Sequence, residues 1–372
     1  MVNFHDTVWC KNEPKSCVGQ AKNVDIAHKM VSMRSFVTID LYLLQRNAKA
    51  IKLALLDKVK FIAVVKADGY GHGAEEVANA IYSIVDGYAV ALVDEGISLR
   101  QAGIDKSILL LIPPDDFDIE KVVRYDLTVS FLSLLQLKKI NAVAKRLGVK
   151  AKVALAVNTG MNRLGFSFDE LPKILDELSR LKHVELTETF SHYYKPEDEE
   201  IRNSQTKIFK EVERLVKEKF PKAIAHISAS GGTLNREYFD AVRVGIMLYG
   251  YYPYEVKNPS IKVKPIMSVY APVVKNRALE KNSPIMYGDF LTKEDIKASI
   301  IRFGYADGLP RKSVYGQLNN RCMDLTAVKN DTKNKYFCIL RKNAHEISKK
   351  YGTISYEVLT SISKRAKRIY KR

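Results

Sequence analysis

The sequence predicts an α/β protein: a (β/α)8 TIM-like barrel followed by a C-terminal β-rich domain. Eight short apolar runs alternate with amphipathic stretches over about 200 residues, the spacing of such a barrel. After residue 255 that beat stops, and strand-like runs separated by turn signals take over. A chain of 372 residues also exceeds the usual size of one hydrophobic core.

In order, the barrel runs are Phe61–Val65, Tyr88–Val93, Ile108–Ile112, Leu127–Phe131, Lys152–Val157, Glu185–Phe190, Ile224–Ser228 and Ala241–Leu248. Most are continuously apolar, which suits parallel strands covered on both faces. Glu185–Phe190 is the poorest of them, being mostly polar. Between strands, Ala74, Val77, Ala78 and Ile81 share one helical face. Leu44, Ala48, Ile51 and Leu55 do the same earlier, with Asp40 placed to cap them. A doubly wound open sheet is the alternative on this pattern alone. Beyond the barrel, Ile266–Val274, Ala298–Phe303 and Phe337–Leu340 read as strands, with Lys281-Asn282-Ser283-Pro284 as a turn. The expected division is residues 1–34 as an extension poorly tied to either core, 35–255 as the barrel and 256–372 as the β domain.

Composition narrows the function. Hydrophobic residues at 46% and charged residues at 27% exclude wholesale disorder. No apolar stretch is long enough to cross a bilayer, so no membrane partner is expected. The first residues lack the apolar centre of a signal peptide, and four cysteines are not a disulfide framework. Both point to a reduced, cytoplasmic protein. A net charge of +18 raises the question of nucleic acid. However, Lys and Arg are dispersed, and the densest run, Lys364 to Arg372, has no recognition motif and a single aromatic, Tyr370. A solvated basic surface and tail is the expectation. Cys10, Cys17 and His5 do not make a metal site at any recognisable spacing.

The chemistry-bearing stretch is Ala63-Val64-Val65-Lys66-Ala67-Asp68-Gly69-Tyr70-Gly71-His72-Gly73. A lysine at the C-terminal end of the first barrel strand stands at the mouth where barrel enzymes hold their sites. Apolar residues behind it favour a lowered amine pKa and carbonyl chemistry. A lysine snorkelling above a glycine-rich turn is the other reading of the same residues. Ser230-Gly231-Gly232 after strand seven and Gly245-Ile246 at strand eight occupy the positions where barrels commonly bind phosphate.

The lysine segment resembles the pyridoxal-phosphate lysine motif of the alanine racemase family. The resemblance continues, in order, through Asn158-Thr159-Gly160-Met161-Asn162-Arg163-Leu164-Gly165-Phe166, Ser191-His192-Tyr193 and Val242-Arg243-Val244-Gly245-Ile246-Met247-Leu248-Tyr249-Gly250. Tyr287-Gly288, Phe303-Gly304-Tyr305-Ala306-Asp307-Gly308, Cys322-Met323-Asp324 and Gly352-Thr353-Ile354-Ser355-Tyr356-Glu357 complete it. It implies an enzyme that interconverts L- and D-alanine for peptidoglycan with pyridoxal 5'-phosphate as cofactor. Lys66 would hold the cofactor and act as one base. Tyr287, lent by the second subunit of a homodimer, would be the other. The resemblance assigns Tyr70, Ser230, Gly245, Ile246 and Tyr356 to the phosphate, and Arg243 to the pyridine nitrogen. His192 would join Arg243 in supporting the tyrosine base, whose reference pKa is near 10. Arg163 would serve the cofactor and the substrate carboxylate, Met323 would touch substrate, and Tyr305 and Arg311 would line its corridor.

Departures cluster near Arg163. Ala156 and Asn158 stand where many family members have a lysine and an aspartate, so the negative charge that normally holds this arginine is absent. The alternatives are a bound anion in its place or a differently seated Arg163. Ala229 precedes Ser230 where the family usually has asparagine, and the chain after Asp324 is short and lysine-rich. A serine or broader-specificity racemase, a decarboxylase on the same barrel, and a cofactor-binding protein without turnover are therefore rival readings.

Overall fold

The computed structural model describes residues 34–312, 317–329 and 334–372. The expected extension, with Cys10, Cys17 and His5, lies almost wholly outside them. The chain divides into two compact units. One spans residues 39–267 together with 370–372, and the other spans 268–369 together with the N-terminal segment up to Thr38.

The first unit is the barrel. Its strands are β2 (Lys60–Val64), β3 (Gly87–Val90), β4 (Ser107–Leu110), β5 (Thr128–Ser130), β6 (Ala151–Ala156), β7 (Val184–Phe190), β8 (Ile224–His226) and β9 (Ala241–Val244). They pair in parallel in the order β8-β7-β6-β5-β4-β3-β2-β9. Two backbone bonds join the ends of that order: Asp240 donates to Ala225 at 2.9 Å and Arg243 to Ser228 at 2.8 Å. The open doubly wound alternative is thereby excluded. All eight strands fall where the sequence places them: five are shorter than expected, β2 and β6 are shifted by one residue, and β7 is one residue longer. The run Ala241–Leu248 overshoots, because the strand ends at Val244 and turns follow. There Leu248 donates to Gly245 and Tyr249 to Ile246.

The helices follow their apolar faces. In α1 (Leu41–Ala54), Leu44, Ala48 and Ile51 are fully buried, and Asp40 caps the helix by accepting from the Leu43 N–H at 2.9 Å. Burying each Leu or Ile here contributes about 1.5–3 kcal/mol. Past the short α2 (Lys66–Gly71), α3 (Ala74–Ile81) buries Val77, Ala78 and Ile81. The later barrel helices are α4 (Val93–Gln101), α5 (Ile119–Arg124), α6 (Leu134–Leu147), α7 (Leu171–Arg180), α8 (Glu199–Lys219) and α9 (Ser230–Leu234).

The second unit is β-rich. Its strands are β1 (Phe36–Asp40), β10 (Met267–Leu279), β11 (Ile296–Ile301), β12 (Thr326–Lys329), β13 (Tyr336–Arg341) and β14 (Lys367–Lys371), with α10 (Ala344–Tyr351) and α11 (Ser355–Ser361). The sheet runs β12-β11-β10-β1-β14, and β13 pairs with β10. Three of these strands, β1, β12 and β14, have no counterpart among the sequence-predicted runs. β1 alternates half-buried and buried residues, and β14 is built from the basic run itself. That run is a sheet-edge strand, a correction to the expected solvated tail. Arg368 donates to the carbonyls of Ile362, Ser363 and Ala366, and Arg365 pairs with Asp324 at 2.6 Å. Charged residues suit an edge because they discourage pairing with another chain.

Candidate active site

The barrel's C-terminal mouth collects most of the residues singled out in the sequence. Lys66 follows β2 and the buried Val65. The turn after it is left-handed: Ala67, Asp68, Gly69 and Tyr70 have φ between 52° and 60° and ψ between 40° and 50°. Such a conformation costs a non-glycine residue about 1–2 kcal/mol, so the turn needs anchors. Glu95 on α4 accepts from the Ala67 N–H at 2.6 Å, and Asp68 accepts from the Ala74 N–H at 3.1 Å. Beneath it Tyr249 donates to the Val64 carbonyl at 3.1 Å and packs its ring against Tyr70 and His72. The other carboxylate oxygen of Glu95 accepts from the Ala91 and Leu92 N–H groups. One side chain thus ties two strand-end loops together behind Lys66.

Around Lys66 the potential is positive. Burial lowers its pKa, as do Arg163 and Arg243, while Glu95 opposes them. An amine held down in this way is more often neutral, hence nucleophilic and basic. Arg163 stands in the loop after β6, exposed, without a hydrogen bond or ion pair among the described residues. Asn158 organises that loop. Its Oδ1 accepts from the Gly160 and Asn162 N–H groups at 3.0 Å, and its amide donates to Asn162 at 2.8 Å. Where an aspartate would add charge, Asn158 keeps the turn and leaves Arg163 without a carboxylate.

Arg243 on β9 is buried, and both of its terminal nitrogens are engaged. Nη2 donates to the Ser191 carbonyl at 2.6 Å and to His192 Nδ1 at 3.3 Å, and Nη1 donates to the His226 carbonyl at 3.0 Å. Its guanidinium also lies 5.3 Å over the Phe190 ring. Burial brings its pKa down to about 10, against an upward pull from Glu188. Since arginine only donates, His192 Nδ1 must accept, and the proton of that ring sits on Nε2. Burial, then Arg243, Arg163 and Lys66, hold the His192 pKa down at about 3.

This has a pH consequence. An unfolded histidine titrates near 6.5, so below that pH the unfolded chain takes up a proton that folded His192 refuses. Stability contributed by the neutral ring is present above pH 6.5 and is lost as pH falls from there towards 3. Between pH 7 and pH 5.5 the loss from His192 is expected to be about 1 kcal/mol. Urea denaturation at the two pH values should show a smaller drop in His192→Gln than in the parent protein.

The phosphate-type loops are also here. Ser230 opens α9 and is buried, and its hydroxyl accepts from the Gly245 N–H at 3.3 Å. A Cβ at Gly245 would fall 2.4 Å from the Tyr70 hydroxyl, so only glycine permits that approach. Gly245 therefore lies against Tyr70.

The remaining predicted residues belong to the β unit. Tyr287, Tyr305, Arg311 and Met323 line one open pocket there, with Cys322 and Arg321. Tyr305 and Met323 are held in register because Tyr305 N–H donates to Cys322 and Ala306 N–H to Met323. A Cβ on Gly304 would strike the Met323 carbonyl at 1.9 Å. The Tyr287 side chain is 72% exposed, free to meet another molecule. Tyr356 lies elsewhere in that unit, on α11, with its pKa pushed up to about 12 by burial. Sequence reasoning missed Glu95, Glu188 and His226. For Glu188 the signal was present: the polarity that makes β7 a poor strand pattern is a charge inside the barrel.

A barrel-mouth lysine set among arginines defines an enzyme that handles anionic substrates through an amine. The profile described as the alanine racemase N-terminal domain matches residues 39–253, and that of the C-terminal domain matches residues 266–370. The chain belongs to the alanine racemase family. It is 34% identical over 364 residues to alanine racemase 2 of Caldanaerobacter subterraneus subsp. tengcongensis, covering 90% of this chain and 94% of that one. It is 35% identical over 336 residues to the alanine racemase of Thermodesulfovibrio yellowstonii, covering 84% and 90%. Among solved structures it resembles the alanine racemase of Clostridium difficile 630, with a TM-score of 0.85 and 31% identity over 92% of this chain and 97% of that one. It also resembles the alanine racemase of Bacillus anthracis with bound L-Ala-P, with a TM-score of 0.85 and 27% identity over 92% and 96%.

Proposed function

We propose that this protein is a pyridoxal 5'-phosphate-dependent racemase that interconverts L- and D-alanine, working as a cytoplasmic homodimer and supplying D-alanine for peptidoglycan. The observation that carries the proposal is Lys66, an amine with a lowered pKa at the mouth of a barrel, with Arg163 and Arg243 both acting on it. No helix among the described residues is long and apolar enough to cross a membrane.

The residues fit the cofactor. A cationic mouth suits a ligand bearing phosphate and a phenolic oxygen, and the gap between Gly245 and Tyr70 leaves no room for a Cβ. Lys66 would hold it by its amine, while Tyr70, Ser230, Gly245, Ile246 and Tyr356 would hold its phosphate. When bound, pyridoxal 5'-phosphate supplies an extended π system that takes up the charge of the substrate carbanion.

The chain's own groups do the rest. Arg163, with no carboxylate of its own, offers a planar fork for the substrate carboxylate. Arg243 would face the pyridine nitrogen, and a fixed cation there disfavours protonating it, which restrains side reactions. Lys66 Nζ takes or gives the α-proton on one face, and the Tyr287 hydroxyl does so on the other. A single base would have to cross the plane, so two are the simple solution. His192, proton on Nε2, would donate to the phenol oxygen of Tyr287 from the partner subunit and favour its ionised form. Tyr305 and Arg311 would line the approach, and Met323 would touch substrate.

Incubation with L-alanine, L-serine and L-lysine followed by separation of enantiomers tests the proposal. D-alanine is the expected product; carbon dioxide without any D-amino acid would identify a decarboxylase instead. Tyr287→Phe is expected to lower racemisation by about 10²–10⁴-fold, equally in both directions because the two enantiomers have the same free energy, while α-hydrogen exchange is lost far more from the enantiomer whose α-proton the tyrosine removes. Deuterium incorporation from each enantiomer measures this, and equal loss of exchange from both would remove Tyr287 as a one-sided base.

A further inference from the structure

Below the mouth, the barrel interior holds a buried chain of polar groups that the mechanism above does not use. Glu188 on β7 is 4% exposed and His226 on β8 is fully buried. The Glu188 carboxylate lies 2.9 Å from His226 Nε2, and its other oxygen is 3.5 Å from the Ser107 hydroxyl. His226 Nδ1 meets Arg243 Nη1. Phe190, two residues beyond Glu188, stacks parallel on the His226 ring at 5.7 Å and closes the side of the chain.

The partners leave one protonation pattern. Arginine has donors only, so His226 Nδ1 must accept. A neutral ring then carries its proton on Nε2, aimed at a carboxylate that can only accept when ionised. Either other form of the ring sets donor against donor at Arg243. Among the described residues Arg243 itself touches no carboxylate. Its contacts are carbonyls, the two imidazoles and an aromatic face. The negative charge that balances it is therefore Glu188, acting across one imidazole, and desolvation would otherwise penalise that cation heavily.

We propose that Glu188 is a positioning residue of this site: through His226 it fixes the tautomer that receives Arg243 and supplies the charge that keeps the guanidinium in place against His192. Arg243 in turn sets the His192 tautomer, so one carboxylate in the barrel floor determines which nitrogen His192 presents at the mouth. The catalytic part of this inference rests on the racemase reading.

Selective 15N labelling of histidine in the full-length protein, with and without added pyridoxal phosphate, reads each ring nitrogen, and His226→Gln identifies the signals of residue 226. The expected spectrum shows His226 neutral and protonated on Nε2. A proton on Nδ1 overturns the proposal. Glu188→Gln keeps an acceptor for Nε2–H but removes the charge. It is expected to retain the tautomer but lower the melting temperature, because buried Arg243 loses its balancing charge, while kcat falls about ten- to hundredfold and KM for alanine stays within about twofold. A kcat within about twofold of the parent overturns the charge role. A wild-type protein that shows the Nε2–H signal but racemises nothing would sink the racemase reading while supporting the Glu188–His226–Arg243 assignment, so the two failures are distinguishable.

Discussion

Replacing Lys66 with alanine is expected to lower racemisation by at least about 10³-fold, since the substitution removes both an anchoring amine and a base. The variant should nevertheless fold well. Burial and the neighbouring Arg163 and Arg243 disfavour the charged amine, so its deletion relieves a cost rather than creating one, and function sites commonly carry such a cost. The expected pair of results is an unchanged or higher melting temperature together with loss of the yellow cofactor band. Loss of α-hydrogen exchange in deuterated water should accompany them. Borohydride reduction of the loaded parent protein should label Lys66. A label on another lysine, or undiminished exchange in Lys66→Ala, would refute the assignment.

Substituting Arg243 by leucine is expected to act in the opposite way, on stability first. The guanidinium satisfies the carbonyls of Ser191, His226 and Ile227 and two imidazole nitrogens inside the barrel. Removing it strands Glu188 as a buried charge without its balancing cation. Breaking one side of a buried ionic arrangement costs about 3–5 kcal/mol, a melting temperature lower by roughly 6–20 °C for a unit of this size. Changing Glu188 to leucine as well should recover part of the loss, because deleting both charges is far cheaper than deleting one. Thermal unfolding of the two single variants and the double variant measures the coupling. Strict additivity would show that the two charges do not depend on each other.

The contrast between these residues explains how much of the site was legible in the sequence. Lys66 directly follows the run Phe61–Val65, Arg163 and His192 lie in the segments after Lys152–Val157 and Glu185–Phe190, and Arg243 lies within Ala241–Leu248, so a linear pattern places all four near strand ends and hence at one mouth. Glu95 and His226 carry no such mark. Glu95 sits in the first turn of a helix, where an acidic residue ordinarily serves the helix terminus. Its second role, accepting from Ala67, depends on two loops meeting in space. His226 reads as one polar residue in a short strand until Glu188 and Arg243 arrive from its neighbours. In the β unit, β1 and β14 come from opposite ends of the chain and meet in one sheet. Neither has a hydrophobic alternation strong enough to announce a strand, and their partners are more than 200 residues away.

The alternation of apolar runs and helical faces determined a parallel sheet covered by helices, because each run must bury both faces and each helix one, while its closure into a barrel was decided by the bonds between β8 and β9. It also determined which residues stand at the catalytic rim, since strand direction fixes which end every loop leaves from. The tertiary structure decided what those residues are electrically. Amine and imidazole protonation depend on desolvation and on charges from other strands, and neither quantity is a property of any stretch of sequence. The neutral bias of Lys66, the fixed proton of His192 and the balancing of Arg243 by Glu188 exist only once the barrel has closed around them.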